Sequence, residues 1–284
     1  MTSEFVAHQV HPALRGLVAD VHGYRQSGGP STVHRGLPSA ALTLIVTVDG
    51  PLEILAHPDP AQTPGAYRTL LGGLHTTPAL IRNPGRWAGV QLGLSPLGAR
   101  ALLGVPAGEL ADTDVDLADV LGPLATELAD RVDAAPDWPA RFAAIEDVLR
   151  RAVRPAAGPP AEVAEVWRLT LASGGRARVR DLARRVGWSE RHLTARFTEA
   201  TGLRPKQAAR VVRFDRTRRA LGARIAAGRR PDLAGLALAA GYADQAHLSR
   251  DFRAFTGLSP LRWLGAEFGF VQDGAAPARA GSAP

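Results

Sequence analysis

Gln245, His247, Ser249 and Arg250 crowd into one short stretch, Gly-Tyr-Ala-Asp-Gln-Ala-His-Leu-Ser-Arg-Asp-Phe, residues 241–252. These side chains suit the edges of bases and the phosphates of a duplex. Glutamine pairs with adenine, and arginine forms a bidentate pair with guanine O6 and N7. Ser249, His247 and, further along, Arg253 suit the backbone or either base. A related stretch, Gly-Trp-Ser-Glu-Arg-His-Leu-Thr-Ala-Arg-Phe, fills residues 187–197 and offers Arg191, Thr194, Ala195 and Arg196. In both, a Leu and a Phe stand four apart: Leu193 with Phe197, and Leu248 with Phe252. On a helix each pair shares one face and points inward. The outward face then carries Arg191, Thr194, Ala195 and Thr198 in the first copy, and Ala246, Ser249, Arg250 and Arg253 in the second. Gln245 falls at the helix start, where recognition helices reach base edges.

Other chemistry is poorly supported. The chain has no cysteine, which removes disulfides, thiolate metal sites and a cysteine nucleophile. The six N-terminal histidines (His8, His11, His22, His34, His57 and His75) are scattered, without a His-x-His and following Glu. His8 and His11 are three apart but lie in a segment expected to fray. Gly-Ala-Arg-Ala-Leu-Leu-Gly (98–104) lacks the Gly-Lys-Ser/Thr end of a phosphate loop, and there is no Gly-x-Ser-x-Gly elbow. Gly-Gly-Leu-His-Thr-Thr-Pro (72–78) reads as a turn, and Arg82, Arg86 and Trp87 as two loop arginines beside a core tryptophan. No catalytic residue, metal or cofactor is expected.

The elements that must position the polar stretches sit in a chain of 284 residues, long enough for two domains with their own cores. Charge divides it unevenly. Residues 1–160 hold 12 Arg against 16 Asp and Glu; residues 161–284 hold 22 Lys and Arg against 11 Asp and Glu. That asymmetry points to a polyanionic partner for the C-terminal half. No apolar run approaches the roughly 20 residues needed to span a bilayer, and the N-terminus does not read as a signal peptide; a cytoplasmic address is expected. Residues 1–154 read as a mixed domain. Strands come first, among them 41–50, ending at the turn pair Asp49-Gly50, and 87–94. Helices follow over 96–104, 116–132 and 138–153. Pro-Ala-Ala-Gly-Pro-Pro from 155 to 160 reads as a linker. Residues 161–271 are helical in pattern, and the tail at 272–284 is expected to be disordered.

Within that helical half a unit repeats. Leu182, Ala183, Gly187 and Trp188 recur as Leu236, Ala237, Gly241 and Tyr242 at an offset of 54. His192, Leu193, Phe197, Thr201, Gly202 and Pro205 recur as His247, Leu248, Phe252, Thr256, Gly257 and Pro260 at an offset of 55. Each copy, about 179–202 and 232–257, is a short helix, a glycine turn and a second helix: the helix-turn-helix layout. The glycines suit a turn that needs positive φ. Trp188, Tyr242, Phe197 and Phe252 read as core. His192 and His247 stay open between helix-end packing and DNA.

Residues 225–263 (Ile-Ala-Ala-Gly through Gly-Leu-Ser-Pro-Leu-Arg-Trp) and 179–205 resemble the two halves of the DNA-binding domain of AraC/XylS transcription regulators, a resemblance that covers about 161–270. It implies two recognition helices in successive major grooves, joined by a long helix at about Pro205 to Ala223. It places base-facing residues at Arg191, Thr194, Ala195, Gln245, Ser249 and Arg250. The family commonly has arginine where this chain has Ala195; Arg196 beside it lies nearer the helix flank and suits phosphate. The resemblance also implies an N-terminal domain, often a cupin-like β-barrel, that binds a small effector or mediates dimerisation. For an activator it implies RNA polymerase as a further partner, with no membrane. The expected fold is α+β: a mixed β/α domain followed by an all-α domain. The function expected is sequence-specific binding of double-stranded promoter DNA. The alternatives are a non-specific architectural DNA-binding protein and an enzyme with an appended DNA-binding domain.

Overall fold

The computed structural model describes residues 2–154 and 158–268. Of the expected linker, 155–157 lie outside the described residues, as does the expected disordered tail at 272–284.

The N-terminal half is built from ten antiparallel strands in two sheets. The six-stranded sheet has the order β1 (Thr2–His8), β2 (Val18–Ser27), β9 (Trp87–Leu94), β4 (Leu42–Thr47), β7 (Thr69–Gly72), β10 (Asp114–Asp116). The four-stranded sheet has the order β3 (Thr32–Gly36), β8 (Ala79–Asn83), β5 (Leu52–Ala56), β6 (Gly65–Tyr67). Alternation along β4 and β7 fixes how the layers stack, because successive side chains leave a strand on opposite faces. Ile45 and Leu70 join Leu52, Ile54, Ala79 and Ile81 in one cluster. Leu44, Val46 and Leu71 face the other way, into a core shared with α1 (Ala99–Leu103), α2 (Ala118–Leu121), α3 (Pro123–Ala134) and α4 (Trp138–Ala152). The two sheets and these helices, followed by a helical C-terminal half, make the expected α+β layout.

Two local expectations differ. The segment expected to fray is strand β1, paired with β2 from Thr2–Ser27 to His8–Val21. His8 stacks on Phe142 at 4.5 Å, and its Nε2 lies 3.0 Å from Glu146 Oε1. The single helix expected over 116–132 is instead the end of β10, then α2, then α3. Gly122 adopts φ +57° and Pro123 follows it. Proline has no N–H to continue α2 but suits the first turn of a new helix.

The C-terminal half contains α5 (Ala161–Ala172), α6 (Val179–Arg185), α7 (Glu190–Thr201), α8 (Pro205–Ala226), α9 (Leu233–Ala240), α10 (Gln245–Thr256) and α11 (Pro260–Phe268). Helix α8 has 22 residues, so it spans about 33 Å, and it joins the two repeats. The apolar core runs continuously from the helices of the first half into this bundle. The halves also meet where a 3-10 turn, Ala107–Leu110, abuts the end of α7, and where His34 Nδ1 on β3 lies 3.1 Å from Glu267 Oε2 on α11.

Candidate nucleic-acid interface

The two repeats fold with the same internal bonds. Trp188 N donates to Ala183 O at 3.0 Å, and Tyr242 N to Ala237 O at 2.9 Å. Gly187 and Gly241, just before these aromatics, hold φ of +73° and +79°, which a side chain would resist. Ser189 Oγ accepts from His192 N at 3.2 Å, and Asp244 Oδ1 from His247 N at 2.6 Å. Each such N-cap contributes about 1 kcal/mol. The repeated threonines close the far ends. Thr201 Oγ1 donates to Phe197 O at 2.9 Å, and Thr256 Oγ1 to Phe252 O at 2.7 Å. The repeated histidines pack edge-on against the turn aromatics, His192 on Trp188 at 4.5 Å and His247 on Tyr242 at 5.1 Å. His247 Nδ1 also accepts from Ala243 N at 3.4 Å, which commits that side of the ring to the turn.

The inward faces are fully buried: Leu193, Phe197, Leu248 and Phe252 are each 0% exposed. Residues advance about 100° along a helix. Ala195 therefore lies opposite Leu193 and Phe197, and Arg250 opposite Leu248 and Phe252. Both are exposed, as are Arg191, Gln245, Ala246 and Arg253. Among the described residues Arg191, Arg250 and Arg253 form no ion pair. The two units present their arginines one turn apart: α7 offers Arg191 and then the methyl of Ala195, whereas α10 offers Ala246 and then Arg250. Thr194 and Ser249 sit half-buried on the flank. Thr194 Oγ1 donates to Glu190 O at 2.7 Å, so its hydroxyl proton is engaged on its own helix.

Two residues of α7 turn toward the N-terminal half. Arg196 pairs with Glu199 at 2.9 Å and lines a cleft of about 200 Å³ with Leu97, Arg100, Pro106 and Pro160. Thr198, placed on the outward face by periodicity alone, has a buried hydroxyl. The reason is the 3-10 turn, where a Cβ on Gly108 would lie 2.2 Å from Glu199 O and 3.1 Å from Thr198 O.

Sequence reading missed the contacts that orient α10. Asp251 is 4% exposed and accepts from Arg210 Nη2 on α8 at 2.7 Å, while Arg210 also lies over the Phe255 ring at 5.1 Å. A carboxylate at the centre of an otherwise apolar helix face is the only sequence signal of this buried partner. It also missed a buried group in the first half. His57 Nδ1 donates to Asp114 Oδ2 at 2.8 Å, and the Tyr67 hydroxyl lies 3.4 Å from His57 Nε2. The His57 and Asp114 side chains are 0% and 5% exposed. They fasten β10 to the end of β5. Nearby His75 donates from Nδ1 to Thr77 O at 2.5 Å, and burial pushes its pKa below the ordinary histidine value. Among the described residues no group of three or more His, Cys, Asp or Glu could hold a metal ion, and no helix is long and apolar enough to cross a membrane. Arg82 is taken up by Glu53 at 2.7 Å and Trp87 Nε1 by Gln26 at 2.9 Å.

Comparison with known proteins agrees with this geometry. A family model described as a helix-turn-helix domain matches residues 182–266, which spans most of both repeats. No curated protein matches the chain. A crystal structure of ToxT from Vibrio cholerae is similar in fold, with a TM-score of 0.51 and 10% identity over 90% of this chain and 100% of that one. A structure of wild-type ToxT from Vibrio cholerae with an unsaturated fatty acid bound gives a TM-score of 0.50 and 10% identity, covering 92% and 98% of the two chains. At such identities the likeness shows the fold. The chain thus carries an AraC-type helix-turn-helix domain behind a β-rich N-terminal half.

Proposed function

We propose that this protein binds double-stranded promoter DNA sequence-specifically and regulates transcription, with its N-terminal half sensing a small molecule or mediating dimerisation. One observation carries the reading. Two copies of a capped helix, joined through one long helix, each bury a Leu–Phe pair and leave an unpaired arginine exposed on the outward side, Arg191 in the first and Arg250 in the second. Gln245 and Arg250 read bases, as does Arg191 in the first unit. Arg253, His247 and Ser249 contact the backbone or either base; Ala195 offers a methyl for thymine, and Thr194 an acceptor. Arg196 serves the cleft or a flanking phosphate. For an activator, RNA polymerase is the further partner. The test is a comparison on operator and random DNA at fixed salt. Arg250→Ala loses a bidentate guanine pair and about 1–3 kcal/mol of discrimination. Arg253→Ala weakens both DNAs alike. Equal loss on both DNAs from Arg250→Ala, with altered base preference from Arg253→Ala, would overturn this orientation. Equal wild-type affinity for both DNAs would favour an architectural protein.

The junction between the halves is the place for a regulatory signal to enter. The space between the sheets is filled by the cluster around Ile45 and Ile81, whereas the cleft lined by Arg100 and Arg196 touches the first recognition helix directly. ToxT, of the same fold, has been crystallised with an unsaturated fatty acid; an acidic small molecule would meet the Arg100 guanidinium here, beside the Arg196–Glu199 pair. Coupling requires the 3-10 turn to stay seated on α7. Gly108→Val drives carbons into the backbone of Glu199, which cannot yield as a side chain would. Overpacking of this kind costs about 1–3 kcal/mol. The variant is expected to separate thermal unfolding into two transitions and to change DNA affinity. One transition at the wild-type temperature, with unchanged affinity, would refute the coupling.

A further inference from the structure

Three arginines that belong to neither recognition helix converge on a second cavity. It measures about 70 Å³ and lies between the end of α5, the middle of α8 and the end of α9. Arg176, Arg213 and Arg216 line it with Ser173, and no carboxylate does. A single water needs roughly 10–15 Å³, so the space admits a group of several heavy atoms. Each guanidinium is held from behind. Arg176 Nε donates to Ser173 O at 2.9 Å, Arg213 Nη2 to Gly175 O at 2.7 Å, and Arg216 Nη1 to Leu171 O at 3.3 Å. Arg213 also lies over the Tyr242 ring at 5.3 Å.

Capping the carbonyls at the end of α5 accounts for those three bonds, since the C-terminus of a helix favours cations. It does not account for the rest. Among the described residues none of the three arginines has an acidic partner, whereas Arg168, Arg184, Arg196, Arg210, Arg218 and Arg219 in the same half each do. Arg213 Nε is buried with no hydrogen-bond partner. A buried donor left unpaired is costly, and three like charges around one space repel. An anion with several acceptor oxygens would remove both penalties.

We propose that this cavity binds a phosphate group. The inference rests on the DNA-binding reading for its preferred source, a backbone phosphate between the two recognition helices. The position fits that source. Arg176 lies three residues before α6 of the first repeat, yet a Cβ on Gly241, in the turn of the second repeat, would lie 2.6 Å from Arg176 Cδ. The cavity therefore touches both units at once, beside a turn that leads into a recognition helix. A free phosphorylated molecule offers the same chemistry.

Arg176→Gln with Arg216→Gln tests the site in the full chain. Both residues are exposed and Arg213 keeps its packing on Tyr242; thermal melts establish that the double variant is folded. Calorimetry with inorganic phosphate, without DNA, is expected to show binding to the wild type and loss in the variant. On DNA, the variant is expected to weaken operator and random sequences by the same factor. Its log–log salt slope should be shallower by about 0.9 for the lost phosphate. Phosphate binding lost in the variant with an unchanged salt slope assigns the site to a free phosphorylated ligand. A wild type that binds phosphate but no DNA sinks the functional reading and leaves the site standing. Absence of phosphate binding, with the wild-type salt slope kept in the variant, overturns the proposal.

Discussion

Replacing His57 by Leu is expected to destabilise the N-terminal half by about 3 kcal/mol, the cost of leaving a buried carboxylate without its hydrogen-bond donor. Asp114 is 5% exposed, and its Oδ2 takes its 2.8 Å hydrogen bond from His57. Leucine fills much of the ring's space but donates nothing, so the carboxylate stays buried without its donor. At roughly 2–4 °C per kcal/mol for a domain of this size, the melting temperature should fall on the order of 10 °C. Asp114→Asn is the control. It keeps an acceptor for His57 Nδ1 and removes the charge, so it should cost much less than His57→Leu. Equal losses would show that the charge is not what the histidine compensates. A loss below about 1 kcal/mol, within the range of an ordinary hydrogen bond, would show that water reaches the carboxylate. The site matters beyond stability, because β10 follows directly from the 3-10 turn that seats against Glu199. Loosening β10 should therefore also loosen the hold of the first half on α7.

Operator affinity of the full chain should fall by about 10³–10⁵ between roughly 50 and 200 mM salt, if six to ten phosphates are neutralised. The expectation follows from where the charge is. Residues 161–284 carry 22 Lys and Arg against 11 Asp and Glu, while residues 1–160 have 12 against 16. The first half adds no attraction for a polyanion, so the second must supply it. Arg191, Arg250 and Arg253 are exposed on α7 and α10 and unpaired among the described residues, and Arg176 and Arg216 are exposed beside the cavity at the turn of the second repeat. Each neutralised phosphate releases condensed counterions, giving a log–log slope of about −0.9 per contact. Equilibrium binding at several salt concentrations measures that slope directly. A slope near zero would mean that the basic face does not meet the backbone, and both the operator reading and the shared-phosphate source would fail with it.

The helix-turn-helix units were legible because almost everything they need is local. Gly187 and Gly241 supply a backbone conformation within one residue. Ser189 and Asp244 cap the helix that follows them three residues away. Leu193 with Phe197, and Leu248 with Phe252, choose the buried face through helical periodicity, which in turn fixes where Arg250 points. Repetition of those short-range rules at offsets of 54 and 55 was enough to place α7 and α10 and their buried faces. Thr198 marks the limit of that reasoning: its side of α7 is outward for an isolated helix and covered once Gly108 arrives from another part of the chain. The remaining features depend on such arrivals. His57 meets Asp114 across 57 positions, Arg210 meets Asp251 across 41, and Arg176 joins Arg213 and Arg216 only when α5 packs on α8. The sequence by itself determined the repeated unit and its outward face, since local hydrogen bonds and a fixed helical period dictate both. Strand order, the seating of the 3-10 turn on α7 and the convergence of three arginines were decided by the tertiary structure alone, because they come from packing between distant segments that no local periodicity encodes.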